Sequence, residues 1–144
     1  MKLIFPITDS NLIESFIPQR FPMIMVDKLI SFSEENLVAG LKVSQDNIFV
    51  KNNVLNEPGI IEHMAQSVAL HTGFDFFLKK QDAPTGYIGS IKKIQIERLP
   101  QIDEEIETEV TIIQEFLGVT LVEIVSKCNN IIIATGELKT VIAT

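Results

Sequence analysis

The sequence predicts an α+β domain in which one long helix is enclosed by an antiparallel sheet, and three observations predict it. The segment from Asn56 to Lys80 has apolar residues (Ile60, Ile61, Met64, Ala65, Val68, Ala69, Leu70, Phe74, Phe76, Phe77) on almost every side of a helical cylinder, the pattern of a helix wrapped by other structure. Four runs rich in Ile, Val and Thr follow it, the composition that suits a pleated, half-buried surface. Residues that favour tight turns, Gly118 and the pair Asn129–Asn130, stand at two of the joins between those runs, which predicts hairpins and hence antiparallel pairing.

Each element follows in order. A short helix is predicted from about Asp9 to Phe16. Ile24 to Phe32 and Leu37 to Val43 read as a hairpin around Ser33-Glu34-Glu35-Asn36, and Lys51-Asn52-Asn53 as a loop. Asn56 is placed to cap the long helix, and Pro58 fits its first turn, where an amide hydrogen has no intrahelical partner; the helix therefore starts near Glu57. After a loop from Gln81 to Thr85 come strands over Tyr87 to Arg98, Glu105 to Leu117, Val119 to Lys127 and Ile131 to Ile142. In the second, Val110, Ile112 and Phe116 alternate with Glu109, Thr111 and Glu115, which predicts one face on the core and one towards water.

Composition narrows the function classes. At 144 residues and 46% hydrophobic content the chain suits one domain with one sizeable core. A formal charge of −7 excludes broad nucleic-acid binding, which needs a basic surface. Lys79–Lys80, Lys92–Lys93 and Arg98 are the basic clusters; the last three are candidates for contact with an acidic partner. The N-terminal stretch MKLIFPITDS has one lysine and a brief apolar run broken by Pro6, too short for a signal peptide, and no run reaches membrane-spanning length; a cytoplasmic protein is expected. The lone Cys128 reads as a buried reduced thiol. Neither a cofactor nor a metal site is suggested.

The chemistry of interest sits in the helix. Glu62, His63, Gln66 and His71 are groups whose burial costs several kcal/mol unless they are paired or used, about 2 to 7 for a neutral polar group. Glu62 and Gln66 are four residues apart and share a face, so Gln66 is placed to orient the carboxylate or to hold nearby backbone. His63 points about 100° further round the helix and His71 lies roughly opposite Glu62. For both histidines a satisfied core group is the more ordinary role.

IPQRFPMIMVDKL at Ile17 to Leu29, followed by IEHMAQSVALHTG at Ile61 to Gly73 and YIGSIKKIQIERLPQIDEEIETEV from Tyr87, resembles the FabZ-type (3R)-3-hydroxyacyl-acyl-carrier-protein dehydratases and, more closely, the ApeP-like branch associated with aryl polyene and flexirubin-type pigments. The resemblance implies the hotdog fold, a dimer, and dehydration of a 3-hydroxyacyl thioester on acyl carrier protein in fatty-acid or pigment synthesis. It implies a histidine base in the first element, a helix glutamate from the other subunit acting on the hydroxyl, and amides at the helix start holding the thioester oxygen. Glu62 matches the glutamate; Gly59, Ile60 and the residues beside them are candidates for the amides; Gln66, Phe21 and Met23 are expected to line an apolar acyl tunnel. The chain departs from the family in two places. Gln19 stands at the histidine position, and an amide has no proton-accepting form near neutral pH; the Gly-His-Phe-Pro element that normally precedes the helix is absent. The implied protein is therefore a dehydratase subunit, homodimeric or paired with a second hotdog protein that supplies the base, with His63 as the nearest substitute base. The alternatives are a thioesterase in which Glu62 activates water, or an acyl-binding subunit without turnover.

Overall fold

The computed structural model describes residues 3–142, with Tyr87 described by its backbone only, so the first two residues of the N-terminal stretch lie outside it. Asp9 caps a short helix, α1 (Ser10–Ser15), its carboxylate accepting from the amides of Asn11 and Leu12. β1 (Lys28–Phe32) and β2 (Asn36–Lys42) form the first hairpin, closed by the Ser33 amide on the Asn36 carbonyl. β3 (Val50–Lys51) and β4 (Val54–Leu55) make a small separate hairpin that turns through Asn52 and Asn53, both at positive φ. The long helix α2 (Glu57–Leu78) follows, then β5 (Gly86–Ile96), β6 (Glu105–Phe116), β7 (Val119–Cys128) and β8 (Ile131–Ile142).

Six strands form one sheet in the order β1-β2-β6-β7-β8-β5, antiparallel throughout. The sheet wraps α2: this is the hotdog arrangement. The β6–β7 and β7–β8 turns use Leu117 and Gly118, and Asn129 and Asn130, all at positive φ, the geometry that matches the right-handed twist of paired strands. No helix among the described residues is long and apolar enough to cross a membrane.

The core divides along α2. Around its first half pack Met25, Leu41, Leu55, Ile60, Met64 and Ile106 with their neighbours on β6, β7 and β8. Around its second half pack Ile7, Ile13, Phe16, Leu29, Leu70 and Phe74.

Several boundaries differ from the sequence reading, each for a physical reason. Pairing on β1 begins at Lys28, not Ile24, because Met23 to Met25 is bonded to α2 instead of to β2. Asn56 occupies the N-cap position, but its side chain makes no capping bond; its amide donates to the Phe49 carbonyl. On β6 the inward positions are Ile106, Thr108 and Val110; the register then shifts between Ile112 and Gln114, which turns Phe116 to the other face, opposite Val119, where it is exposed.

The two sheet edges are unlike. β1 is covered by Ile7, whose amide and carbonyl both bond to Leu29. β5 pairs with β8 alone among the described strands, with register shifts at Ile88/Ser90 and Lys92/Gln95 and exposed Ile88 and Ile91.

Candidate active site

The site is built where the segment Met23–Met25 lies along the first half of α2. That segment precedes β1, so the sheet ladder leaves its polar backbone groups unpaired, and buried groups of this kind must find partners elsewhere. Gln66 supplies two. Its side-chain oxygen accepts from the Met25 amide at 2.6 Å, and its amide nitrogen donates to the Met23 carbonyl at 2.7 Å. The second hydrogen of the same nitrogen goes to Glu62 Oε1 at 2.9 Å. With one acceptor and two donors all engaged, the orientation of the Gln66 amide is fixed by its partners. Gln66 thus both orients the carboxylate and holds the neighbouring backbone. Glu62 itself is half-buried, one turn N-terminal to Gln66.

His63 completes the attachment from the other side. It is fully buried, with Nδ1 2.6 Å from the Met25 carbonyl and Nε2 2.7 Å from the Thr108 hydroxyl, which is 2.7 Å from the Ser126 hydroxyl. A carbonyl only accepts, so Nδ1 carries the hydrogen; Nε2 then accepts from Thr108, and Thr108 from Ser126. Burial pushes the His63 pKa down to about 4, against the Met25 carbonyl and the charge of Asp27, which favour the protonated ring. With both nitrogens engaged inside the core, His63 has no atom to offer a substrate, which corrects its reading as a substitute base. Thr108 and Ser126 escaped the sequence reading. Their signal is that they hold inward positions between Ile106 and Val110 and between Ile124 and Cys128, and they are register partners across β6 and β7.

His71 is also a core group, its Nε2 donating to the Ser33 carbonyl at 3.0 Å and its ring 5.0 Å from that of Phe32. Both histidines of the chain are therefore buried.

The remaining predicted residues are placed less simply. Gly59 and Ile60 are buried, and both their amides donate to the Asn56 carbonyl, at 2.9 and 3.2 Å. Those amides are spent inside the first turn, a correction to their reading as free donors for a thioester oxygen; Pro58, also in that turn, has no amide hydrogen at all. Gly59 is small for a packing reason: a Cβ there would meet Leu55 and Phe49. Gln19 is half-buried, and its side-chain oxygen has no hydrogen-bond partner among the described residues. Phe21 is almost wholly exposed at 88%, and Met23 is exposed at 38%. The surface concavities lined by Asn52, Asn53, Gln101, Ile102 and Asp103, and by Phe77, Leu78 and Lys80, involve none of these residues.

Of the basic candidates, Arg98 is already bound by two hydrogen bonds to Glu104, and Lys93 lies 3.6 Å from Glu137; Lys92 is exposed. Cys128 is buried, and burial pushes its thiol pKa up. Among the described residues, no three His, Cys, Asp or Glu side chains are grouped to share a metal ion.

Three comparisons place the chain among known proteins. The model of the ApeP-like dehydratases, described as ApeP dehydratase, matches residues 11–143. The 3-hydroxyacyl-acyl-carrier-protein dehydratase FabZ of Vibrio atlanticus is 26% identical over 142 residues, covering 88% of each chain. FabZ of Latilactobacillus sakei is 31% identical over 112 residues, 72% of this chain and 76% of its own. The fold is similar to that of the dehydratase heterocomplex ApeI:P from Xenorhabdus doucetiae, with a TM-score of 0.85 at 17% identity over 92% of this chain and 91% of that one. It is similar too to the E. coli PaaI protein, with a TM-score of 0.64 at 10% identity over 78% and 80%. With a half-buried glutamate oriented by a glutamine on the central helix of a hotdog fold, and a family model matching nearly its whole length, the chain belongs to the ApeP-like dehydratase family.

Proposed function

We propose that this chain is the glutamate-bearing half of a dehydratase that removes water from a 3-hydroxyacyl thioester on acyl carrier protein, and that a second hotdog subunit supplies the base. The observation that carries this reading is an imbalance. Glu62 is held by Gln66 through one oxygen, and the other has no hydrogen bond among the described residues, whereas both histidines are buried in the core. Dehydration breaks a C–H bond beside the thioester carbonyl and the C–O bond of the 3-hydroxyl; one group must accept the first proton and another must give one to the departing hydroxyl. Glu62 serves the hydroxyl. Gln19, an amide, cannot serve as the base, and an oxyanion donor must come from somewhere other than the Gly59 and Ile60 amides.

A partner also suits the sheet. The uncovered edge of β5, with Ile88 and Ile91 exposed, is the kind of edge that proteins pair or bury. The FabZ relatives are named for the reaction proposed, and ApeI:P is described as a dehydratase heterocomplex. Phe21, just before the clamped segment, and Met23, at its start, are exposed and would line the acyl tunnel once the partner covers them. Lys92 and Lys93, on β5, would meet the acidic carrier protein. The acyl chain on this reading is the growing chain of fatty-acid, aryl polyene or flexirubin-type pigment synthesis.

The test pairs the purified chain with a hotdog protein that retains its histidine and offers both 3-hydroxyacyl and simple acyl thioesters of carrier protein. Water loss from the hydroxyacyl substrate is expected only in the mixture, and Glu62→Gln should reduce it by a factor of about 100 to 10,000. Full dehydration by the chain alone, or by the Glu62→Gln mixture, overturns the reading. Release of the free thiol would make the chain a thioesterase, and tight binding without product an acyl-binding subunit.

A further inference from the structure

The buried histidine is more than core filling. Five hydrogen bonds run in series from the sheet to the glutamate: Ser126 to Thr108 at 2.7 Å, Thr108 to His63 at 2.7 Å, His63 to the Met25 carbonyl at 2.6 Å, the Met25 amide to Gln66 at 2.6 Å, and Gln66 to Glu62 at 2.9 Å. Met25 is the hub. It is fully buried, its amide bonds Gln66, and its carbonyl bonds His63. The sheet gives this stretch no ladder: the first bond to β2 nearby is that of the Asp27 amide to the Gly40 carbonyl. The place of Met23 to Met25 along α2 is thus set by two side chains of the helix, one of which also holds Glu62.

We propose that His63 is a positioning residue: by fixing the Met25 carbonyl it fixes the Gln66 amide, and through Gln66 the direction of the Glu62 carboxylate and the place of Met23 beside it. An apolar residue at position 63 would fill the same volume but leave the Met25 carbonyl and the Thr108 hydroxyl with one partner fewer, and an unpaired buried acceptor strains whatever it belongs to. A carboxylate attached to such a loosened clamp would sample several directions, and small misplacements of a reacting group are costly. The catalytic consequence rests on the reading of Glu62 as the group that serves the hydroxyl. The structural consequence does not.

Two substitutions separate positioning from packing. An asparagine amide reaches the place of Nδ1 and can donate to the Met25 carbonyl; a glutamine amide reaches the place of Nε2 and meets Thr108 instead. In the full chain, followed by NMR, the Met25 amide should exchange its hydrogen more than about tenfold faster in His63→Gln, and within about threefold of wild type in His63→Asn, once both are corrected for global stability. In the complemented enzyme kcat should fall about 100-fold in His63→Gln and about tenfold in His63→Asn with KM unchanged. Equal Met25 exchange in the two variants overturns the proposal, and so does an equal fall in kcat. Exchange that separates the variants in a protein that never dehydrates would refute the dehydratase reading and leave the clamp standing. Should either variant fail to fold, the wild-type ring decides: its ¹⁵N shifts should report the Nδ1-protonated tautomer, and an Nε2-protonated ring, which cannot donate to Met25, would overturn the proposal.

Discussion

The two halves of α2 carry one histidine each and are held by different physics. In the first half, Glu62, His63, Gln66 and Ser67 satisfy one another and the backbone of Met23 to Met25, and Ser67 donates to the His63 carbonyl. In the second half, Phe74 lies edge-on to Phe5, Phe16 and Phe32 at ring separations of 5.9, 5.2 and 4.9 Å, with His71 against Phe32 and Phe16 against Phe77. Hydrogen bonds specify direction; aromatic packing specifies volume. The first half is therefore suited to aim a functional group and the second to anchor the helix. Damage to the first should cost orientation before stability, and damage to the second the reverse.

The largest effect is expected in the anchoring half. A Cβ at Gly73 would land on the Phe16 carbonyl, main chain at the end of α1 that has no free rotamer to escape into. Gly73→Ala should cost about 3 kcal/mol or more, read as a lower urea midpoint with an unchanged slope. If the variant unfolds like wild type, the close approach of α1 to α2 does not anchor the helix and the contrast between the halves fails.

Next is the aiming half. Gln66→Leu removes both partners that Gln66 gives the Met23–Met25 segment and leaves a buried Met25 amide unpaired, which should cost about 2 to 3 kcal/mol. Its effect on dehydration should exceed what that loss of stability explains, because Glu62 loses its guide in the same step. A variant as unstable as predicted but catalytically intact would show that Gln66 holds backbone without orienting the carboxylate.

The pH dependence of stability comes third and isolates His63. Its folded pKa, near 4, lies below the ordinary value of 6.5, so the unfolded chain binds the proton more readily. The stability this group contributes is then complete above pH 6.5 and is lost as the pH falls towards 4. Between pH 7 and pH 5 the loss should be about 2 kcal/mol. That window lies above the range where Glu104 and Glu105, whose pKa values are lowered by Arg98 and by Lys28, begin to protonate. In His63→Asn the slope across the window should flatten; an equal slope in both proteins would mean that His63 is not buried as a neutral ring.

The fold was legible because its signals are local and repeated. Apolar residues all round Ile60 to Phe77, the alternation through Val110, and the turn residues at Gly118 and Asn129–Asn130 each state a period or a backbone conformation. Phe116 misled because the register shift between Ile112 and Gln114 breaks the alternation and sets Phe116 opposite Val119, on the face away from Val122 and Ile124. The Glu62–Gln66 pair was legible from four-residue spacing. The rest of the site was not, since it joins Met25, His63, Thr108 and Ser126 across separations of 38, 45 and 18 residues, and only the inward position of two hydroxyls on neighbouring strands hints at it. The Gly59 and Ile60 amides look available in a sequence, where the Asn56 carbonyl that takes them both cannot be seen.

The smallest expected effect sharpens the comparison most directly, because it repeats the first substitution in the other half. A Cβ at Gly59 would lie 2.6 Å from Leu55 Cδ1 and 2.7 Å from Phe49 Cβ. Leu55 Cδ1 is the end of a side chain and can turn aside, whereas Phe49 Cβ is tied to its own main chain and moves only with the turn that carries it; the overlap is nevertheless smaller than that with the Phe16 carbonyl at Gly73. Alanine also recovers part of the helix propensity that glycine forfeits, up to about 1 kcal/mol in a helix interior and less in a first turn. Gly59→Ala should therefore cost only about 1 kcal/mol in a urea titration, the overlap with Leu55 and Phe49 outweighing the gain in propensity. A cost equal to that of Gly73→Ala would mean that Leu55 and Phe49 are as immovable as the Phe16 main chain, and that the start of α2 is anchored by volume just as its far end is.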